Sequence, residues 1–417
     1  MYARHIALVS SIFGGMHYVP IASAMASFAN DSHLTLQTRN FYVNQDLRDN
    51  PSSGKHKLEE WGQGFMLRFN SGYTEGPVGI GVDALGLQGM KLDSGRGTSG
   101  TGALPVSKEG DVADKFGSFG MTAKVRAGKS VLTVGTQEPV LPVAFRADNR
   151  LLPQTFEGAQ IVSKDLEKVT LIAGQFRSTR LRDSTGNEDM TMLAFTKGGG
   201  LAASTASERF NYAGFTYDFR SGFNLTYYYA KLEDNYNQQY VEFNHTLRLS
   251  DDWRFTSEAR YFHSDEENNS GINNRTLGSM FSLGFKGHTL GAGYQNQSGR
   301  TGMPFIGGTV PWARAWGIYH HFLYAGEDTW QVEYSFDLAT VGVPGLTLMN
   351  RYVRGDNFKV GNAQANEYEF NTDLTYVVQS GAFKDISLRW RNIKYRGNHT
   401  VDRDENRLII GYTFKFW

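Results

Sequence analysis

From one end of the chain to the other, apolar and polar residues alternate with a period of two. In TWQVEYSFDL, Trp330, Val332, Tyr334, Phe336 and Leu338 fall on one side, and Gln331, Glu333, Ser335 and Asp337 on the other. Leu277, Phe281, Leu283 and Phe285 alternate with Gly278, Ser282 and Gly284, and Val241, Phe243, Leu247 and Leu249 with Glu242, Asn244, Thr246 and Arg248. This period marks strands with one apolar and one polar face, and helical periodicity is almost absent. Beyond the N-terminus no segment offers the ~18 or more consecutive apolar residues of a membrane helix. The chain is therefore a soluble all-β protein or a membrane barrel, since a spanning sheet must close on itself.

About eighteen such segments can be counted, beginning near residues 32, 57, 78, 116, 131, 158, 168, 209, 223, 236, 253, 275, 289, 328, 345, 366, 385 and 406. The gaps between them alternate long and short. Long gaps near 44–56, 93–115, 138–157, 177–207, 264–274 and 297–327 are answered by short ones such as RAGKS, RSG and Gly287-His288. An even number of antiparallel strands, with short periplasmic turns on one rim and long extracellular loops on the other, describes a transmembrane β-barrel of the outer membrane. A soluble sandwich or β-solenoid would need polar edges and no aromatic band. The 28 Phe, 21 Tyr and 7 Trp instead suit the aromatic girdles of a barrel. The last segment, RLIIGYTFKFW, turns Leu408, Ile410, Tyr412, Phe414 and Phe416 outward and ends in Trp417.

The N-terminus has the layout of a secretory signal: Arg4 and His5, an apolar Ile6 to Phe13, and small-residue triplets that place cleavage after Ala24 or Ala26. Residues 1–26 are thus expected to be removed, leaving 27–417 as the barrel domain, with some six residues before the first strand and no room for a plug domain. Formal net charge is zero and no basic tail is present, so nothing points to nucleic acid. The absence of cysteine excludes a disulfide framework and a Cys-based metal site. Neither a GxSxG elbow nor a histidine pair at ligand spacing occurs, so neither catalytic nor metal-binding residues, and no cofactor, are expected.

The stretch SLRWRNIKYR carries Arg389 and Arg391 on one face, with Leu388 and Trp390 on the other. Facing lipid would cost each arginine ~2–4 kcal/mol near the midplane, so both face the lumen. By the same alternation Arg407 points inward on the last strand, Arg351 does so with Thr347 and Met349, and Arg39 does so on the first strand, which closes against the last. Lys124 and Arg126 share the inward phase of KVR. These side chains form a basic stripe down one side of the pore. Fixed guanidinium charges offer a track of weak sites for anions. The inward carboxylates Glu369, Asp373, Glu333 and Asp337 on neighbouring strands provide the competing arrangement, in which local ion pairs neutralise the stripe.

A pore of eighteen strands is wide unless a segment folds into it. EPVLPVAFRADNRLLPQTFEG is that segment: Pro139, Pro142 and Pro153 stiffen it, and its apolar residues are out of place in water. At this point the residues carry a resemblance. RNFYVNQDLRD, EEWGQGFMLRFNSGYTEGPVGIGVDALGLQGMKLD, TGALPV, VLPVAFRADNRLLPQTFEG, RYVRGDN and TYVVQSG, in this order, resemble the OprD family of substrate-specific porins of pseudomonads, the outer-membrane carboxylate channels.

The resemblance implies an eighteen-stranded monomeric pore that can pack as loose homotrimers, surrounded by outer-membrane lipid. Its constriction would come from the third and fourth extracellular loops. Arg39, Arg389, Arg391 and Arg407 would form the ladder, and Asp148, Asn149 and Arg150 would be the loop elements facing it. Arg150 has a second reading, as a structural tie from the loop to a wall carboxylate. Arg180 and Arg182 fall in the fourth loop. Small organic acids, aromatic ones included, are the implied substrates. A channel for basic amino acids or peptides within the same family and a nonspecific diffusion porin are the alternatives. The terminal Trp417 departs from the usual Phe.

Overall fold

The computed structural model describes residues 28–48, 54–95 and 97–417. The expected signal peptide lies outside the described residues. Eighteen strands form one antiparallel sheet. In chain order they are β1 (His33–Arg48), β2 (Lys57–Asn70), β3 (Val78–Asp93), β4 (Lys115–Ala127), β5 (Ser130–Gln137), β6 (Thr155–Ser163), β7 (Val169–Arg180), β8 (Phe210–Asp218) and β9 (Phe223–Leu232). The second half comprises β10 (Tyr236–Arg248), β11 (Trp253–Glu266), β12 (Asn273–Phe285), β13 (His288–Gly299), β14 (Asp328–Asp337), β15 (Leu346–Val360), β16 (Ala363–Val377), β17 (Ser387–Gly397) and β18 (Asp402–Lys415). Each pairs with its sequence neighbour, and β1 pairs with β18 from Thr35↔Lys415 to Arg48↔Asp402. One chain thus closes a complete barrel with no free edge.

The period-two expectation survives on the outer face, where Leu388, Trp390, Leu408, Ile410 and Phe414 are exposed. Aromatic pairs gather toward the short-turn rim, including Trp253 with Phe285 (ring centroids 4.4 Å apart) and Phe223 with Phe243 (5.9 Å). The turn between β12 and β13 is two residues, Lys286 (φ 43°) and Gly287 (φ 85°). Two successive positive φ values match the primed turn that fits the twist of a hairpin.

Two features differ from expectation. Several strands run further toward the long-loop rim than the apolar pattern indicates: β1 reaches Arg48, and β16 and β18 begin at Ala363 and Asp402. Backbone pairing continues where no lipid demands apolar side chains, so the pattern fades before the strand does. In addition, the connections at 233–235 and 361–362 are tight although they lie on the long-loop rim.

The inner face also changes character along each strand. Near the short-turn rim it is polar, but Phe41 and Val43 of β1 point inward and are buried against Leu104, Leu151 and Leu152. A larger apolar cluster joins Phe156, Phe176, Phe210 and Phe262 to Met190, Met192, Met303 and Ile306. Loops fold into this half of the barrel and give it a core. Gly64 of β2 shows how closely: a Cβ there would lie 2.9 Å from the carbonyl oxygen of Leu151.

Candidate functional site

Loop 138–154 enters the lumen between β5 and β6, stiffened by a short ribbon pairing Val140–Leu141 with Ala144–Phe145. Glu138 fixes its root, accepting both Nε and Nη2 of Arg68 on β2 at 3.0 Å. Across the lumen lies loop 300–327. The two loops meet where Val310 N–H donates to the Phe145 carbonyl (2.9 Å) and the rings of Phe145 and Trp312 pack edge to face at 5.0 Å.

The wall holds loop 300–327 through its backbone. One carboxylate, Glu369 of β16, accepts the N–H groups of Ile318 (2.5 Å), Tyr319 (3.0 Å) and His320 (2.9 Å). Gln295 accepts those of Arg314 (2.9 Å) and Ala315 (3.2 Å). Arg260 donates to the Trp312 carbonyl at 2.9 Å. The constriction expected from the third and fourth loops is therefore made by the third loop and loop 300–327. The fourth, 181–209, stands behind as a buttress. Arg182 donates to Asn149 Oδ1 (3.0 Å), and the buried Arg180 donates to the carbonyls of Pro153 (2.5 Å) and Ser184 (2.7 Å). Arg180 is thus spent on loop backbone and Arg182 on the side-chain amide of Asn149.

Below the meeting point of the loops is a cavity of about 1030 Å³. Its cationic lining is Arg39, Arg146, Arg150, Arg389, Arg391 and Lys415, against the carboxylates Asp148 and Asp385. Apolar surface comes from Phe145, Val310, Trp316 and Ile318. Six cations thus face two carboxylates. Asp373 and Glu138, paired with Arg389, Arg391 and Arg146 from behind the lining, offset part of this charge, and the low-dielectric walls focus the positive remainder.

Of the residues expected at the site, Arg39, Arg389, Arg391, Asp148, Asn149 and Arg150 converge on this cavity. Arg39 donates through Nη1 to Asp148 Oδ1 (2.8 Å) and to the Arg150 carbonyl (2.7 Å), tying the wall to the loop. Arg389 and Arg391 share Asp373 of β16. Arg389 is the most open of the three wall arginines that line the cavity, with 40% of its side chain exposed against 12% for both Arg39 and Arg391.

Four expected residues lie elsewhere. Arg407 is level with Arg391 in the sheet register but fully buried, paired with Glu405 and capping the Asn149 carbonyl at 3.4 Å. Arg351 pairs with Glu333 (2.8 Å) and stacks on Trp316, so it supports loop 300–327 from behind. Lys124 pairs with Asp83 (2.6 Å) near the short-turn rim, where Arg126 lies over the Tyr73 ring. The stripe is thus ion-paired at most of its positions. Arg150 holds its loop as the second reading of that residue had it, but its partners are the carbonyls of Thr101 (3.1 Å) and Asn149 (3.0 Å) rather than a hydrogen-bonded wall carboxylate. Burial, and then the nearby Arg407, push its pKa well below the ordinary guanidinium value.

Sequence reasoning missed Arg68, Glu138, Arg146, Arg260 and Arg314, together with the anchoring role of Glu369. For the strand residues the inward phase was a signal. For the loop residues nothing local distinguishes a backbone anchor from a solvated charge.

The model of the outer membrane porin, OprD family, matches residues 26–416. The chain belongs to the OprD family. Among relatives, it is 38% identical to the porin-like protein GalP of Pseudomonas putida over 401 residues, 94% of each chain. Among solved structures, Pseudomonas aeruginosa OccK9 (OpdG) superposes with a TM-score of 0.88 at 37% identity, covering 94% of this chain and all of that one. Pseudomonas aeruginosa OpdK, solved with vanillate, gives 0.86 at 35% identity, covering 93% and 100%. This OprD-family porin is a channel of the Gram-negative outer membrane and not an enzyme. Its short-turn rim is periplasmic and its long-loop rim extracellular.

Proposed function

We propose that this porin takes up small monocarboxylates, aromatic acids among them, by passive diffusion through the cavity beneath the two inward loops. The observation that carries this reading is the composition of the cavity wall: six cations against two carboxylates, with Trp316, Ile318 and Phe145 as apolar surface. A carboxylate finds guanidinium donors, and an attached ring finds an aromatic and aliphatic surface. A relative solved with vanillate, an aromatic carboxylate, supports the same reading.

Ion pairing of the stripe fits conduction rather than opposing it. Unpaired arginines in a row would hold an anion; arginines that share their charge with a wall carboxylate offer weak, exchangeable sites. Arg389, the most open of these wall arginines, is the residue assigned first contact with the substrate carboxylate. Residues 1–26 are assigned as the signal peptide that delivers the chain.

The test is solute uptake by proteoliposomes from a panel of benzoate-type acids, short aliphatic acids, arginine and a neutral sugar. Preferential entry of the acids is expected. Equal entry of every solute below a size limit would favour a nonspecific diffusion porin.

A further inference from the structure

Arg389 and Arg391 stand two residues apart on the same face of β17, a separation of roughly 6–7 Å along a strand. Two guanidinium groups so placed repel each other. Asp373 lies across the ladder on β16, directly opposite Arg391 in the register, with Thr375 opposite Arg389. Its carboxylate is nearly buried, at 4% side-chain exposure.

The way that carboxylate is shared is specific. Asp373 Oδ2 accepts Nη2 of Arg389 (2.5 Å) and both Nε (2.7 Å) and Nη2 (2.5 Å) of Arg391. Oδ1 accepts Arg389 Nε (2.7 Å) and the Thr375 hydroxyl (3.2 Å). Each guanidinium therefore spends its Nε–Nη2 edge on one common carboxylate. The Nη1 group of each has no hydrogen-bond partner among the described residues. Both arginines line the cavity, while Asp373 stands behind them and does not.

Side-on pairing through Nε and Nη2 leaves the Nη1 group of each guanidinium available to donate, and because one carboxylate holds both side chains it fixes the two groups relative to each other. We infer that Asp373 is a positioning residue for transport: it locks the two guanidinium planes so that their Nη1 edges present a preformed seat for one substrate carboxylate. The inference rests on the carboxylate-channel reading and deepens it. Two arginines and one aspartate carry one net positive charge, which suits a monocarboxylate and lets it leave again. A dicarboxylate gains no second charge at this seat.

Simple electrostatics predicts the opposite effect of removing the acid. Asp373→Asn raises the local positive charge, and on charge alone it strengthens anion binding. If Asp373 positions the pair, the substitution frees two long side chains that must then be ordered at each binding event. Affinity for the carboxylate falls by about tenfold, the scale of immobilising one or two such side chains.

The experiment uses the full-length porin in planar bilayers, with two readouts. One is the reversal potential in a potassium chloride gradient, which reports charge. The other is the concentration of benzoate that halves the chloride current, which reports the seat. In Asp373→Asn the first is expected to move toward anions or stay unchanged, while the half-blocking concentration rises about tenfold. Thr375→Val keeps every charge and removes only the hydroxyl that braces Oδ1, so it tests the same point if Asp373→Asn assembles poorly. It is expected to raise the half-blocking concentration without moving the reversal potential. Block that is unchanged or tighter in the assembled variants overturns the inference while leaving the carboxylate reading intact. A wild-type channel that benzoate does not block at all overturns both.

Discussion

Replacing Glu369 with alanine should unfasten loop 300–327 from the wall and open the constriction. The carboxylate is fully buried and receives three consecutive backbone N–H groups from the loop, besides Asn371 Nδ2 at 2.7 Å. Each backbone donor left without an acceptor costs about 1–3 kcal/mol. Water entering the space vacated by the side chain offsets part of this, so the lower end applies, about 3–4 kcal/mol for the three donors together. At 1.4 kcal/mol per tenfold, the ratio of released to docked loop rises by roughly two to three orders of magnitude. In single-channel recordings the variant should show a higher mean conductance and frequent excursions between levels. Glu369→Gln keeps one acceptor oxygen of similar shape and should fall between the two. An Ala variant that assembles into a heat-modifiable barrel, yet conducts with the level and noise of wild type, would refute the claim that this carboxylate fastens the loop.

Other consequences follow from named contacts. Gly64→Val brings a branched side chain against the Leu151 carbonyl, where a Cβ alone would lie at 2.9 Å, and should cost ~1–3 kcal/mol as overpacking, read as a lower urea midpoint in lipid vesicles. Arg407→Met leaves Glu405 buried without its partner and should destabilise the barrel by ~3–5 kcal/mol, whereas the double variant with Glu405→Met should recover most of the loss by the same assay. In the periplasmic turn, hydrogen bonds from the Ser130 hydroxyl and the Lys129 N–H hold the Asp165 carboxyl below its ordinary pKa. A depressed folded-state pKa adds stability above the unfolded value, near ~3.9, that is lost as pH falls through the folded one. Protection of the Lys129 amide, measured as its exchange rate relative to the intrinsic rate at each pH, should therefore hold at neutral pH and be lost only below pH ~4.

The fold was legible because a lipid-facing strand must alternate, and each of the eighteen strand starts was placed within four residues of where it lies, including β17 at Ser387 and β2 at Lys57. Arg389 and Arg391 could be turned inward from the cost of the other orientation. What alternation cannot give is depth within the lumen or the identity of a partner. Arg407 and Arg391 have the same phase and the same level in the sheet, yet one is buried beneath a loop and the other lines the cavity. The difference is made by Asn149, more than two hundred residues away in sequence. Loop 300–327 was expected only as a long extracellular gap. Its capture by Glu369 depends on backbone N–H groups, which every residue but proline carries and which leave no mark in a sequence.

The central claim is that the paired arginines beneath the constriction select carboxylates. It is tested most directly by uptake into proteoliposomes carrying wild type or the double variant Arg389→Gln/Arg391→Gln, with benzoate and a neutral sugar of similar size as solutes. The account predicts that wild type favours benzoate and that the variant loses this preference while sugar entry is unchanged. Benzoate entry equal to that of the sugar in wild type, or a preference that persists in the variant, would contradict it.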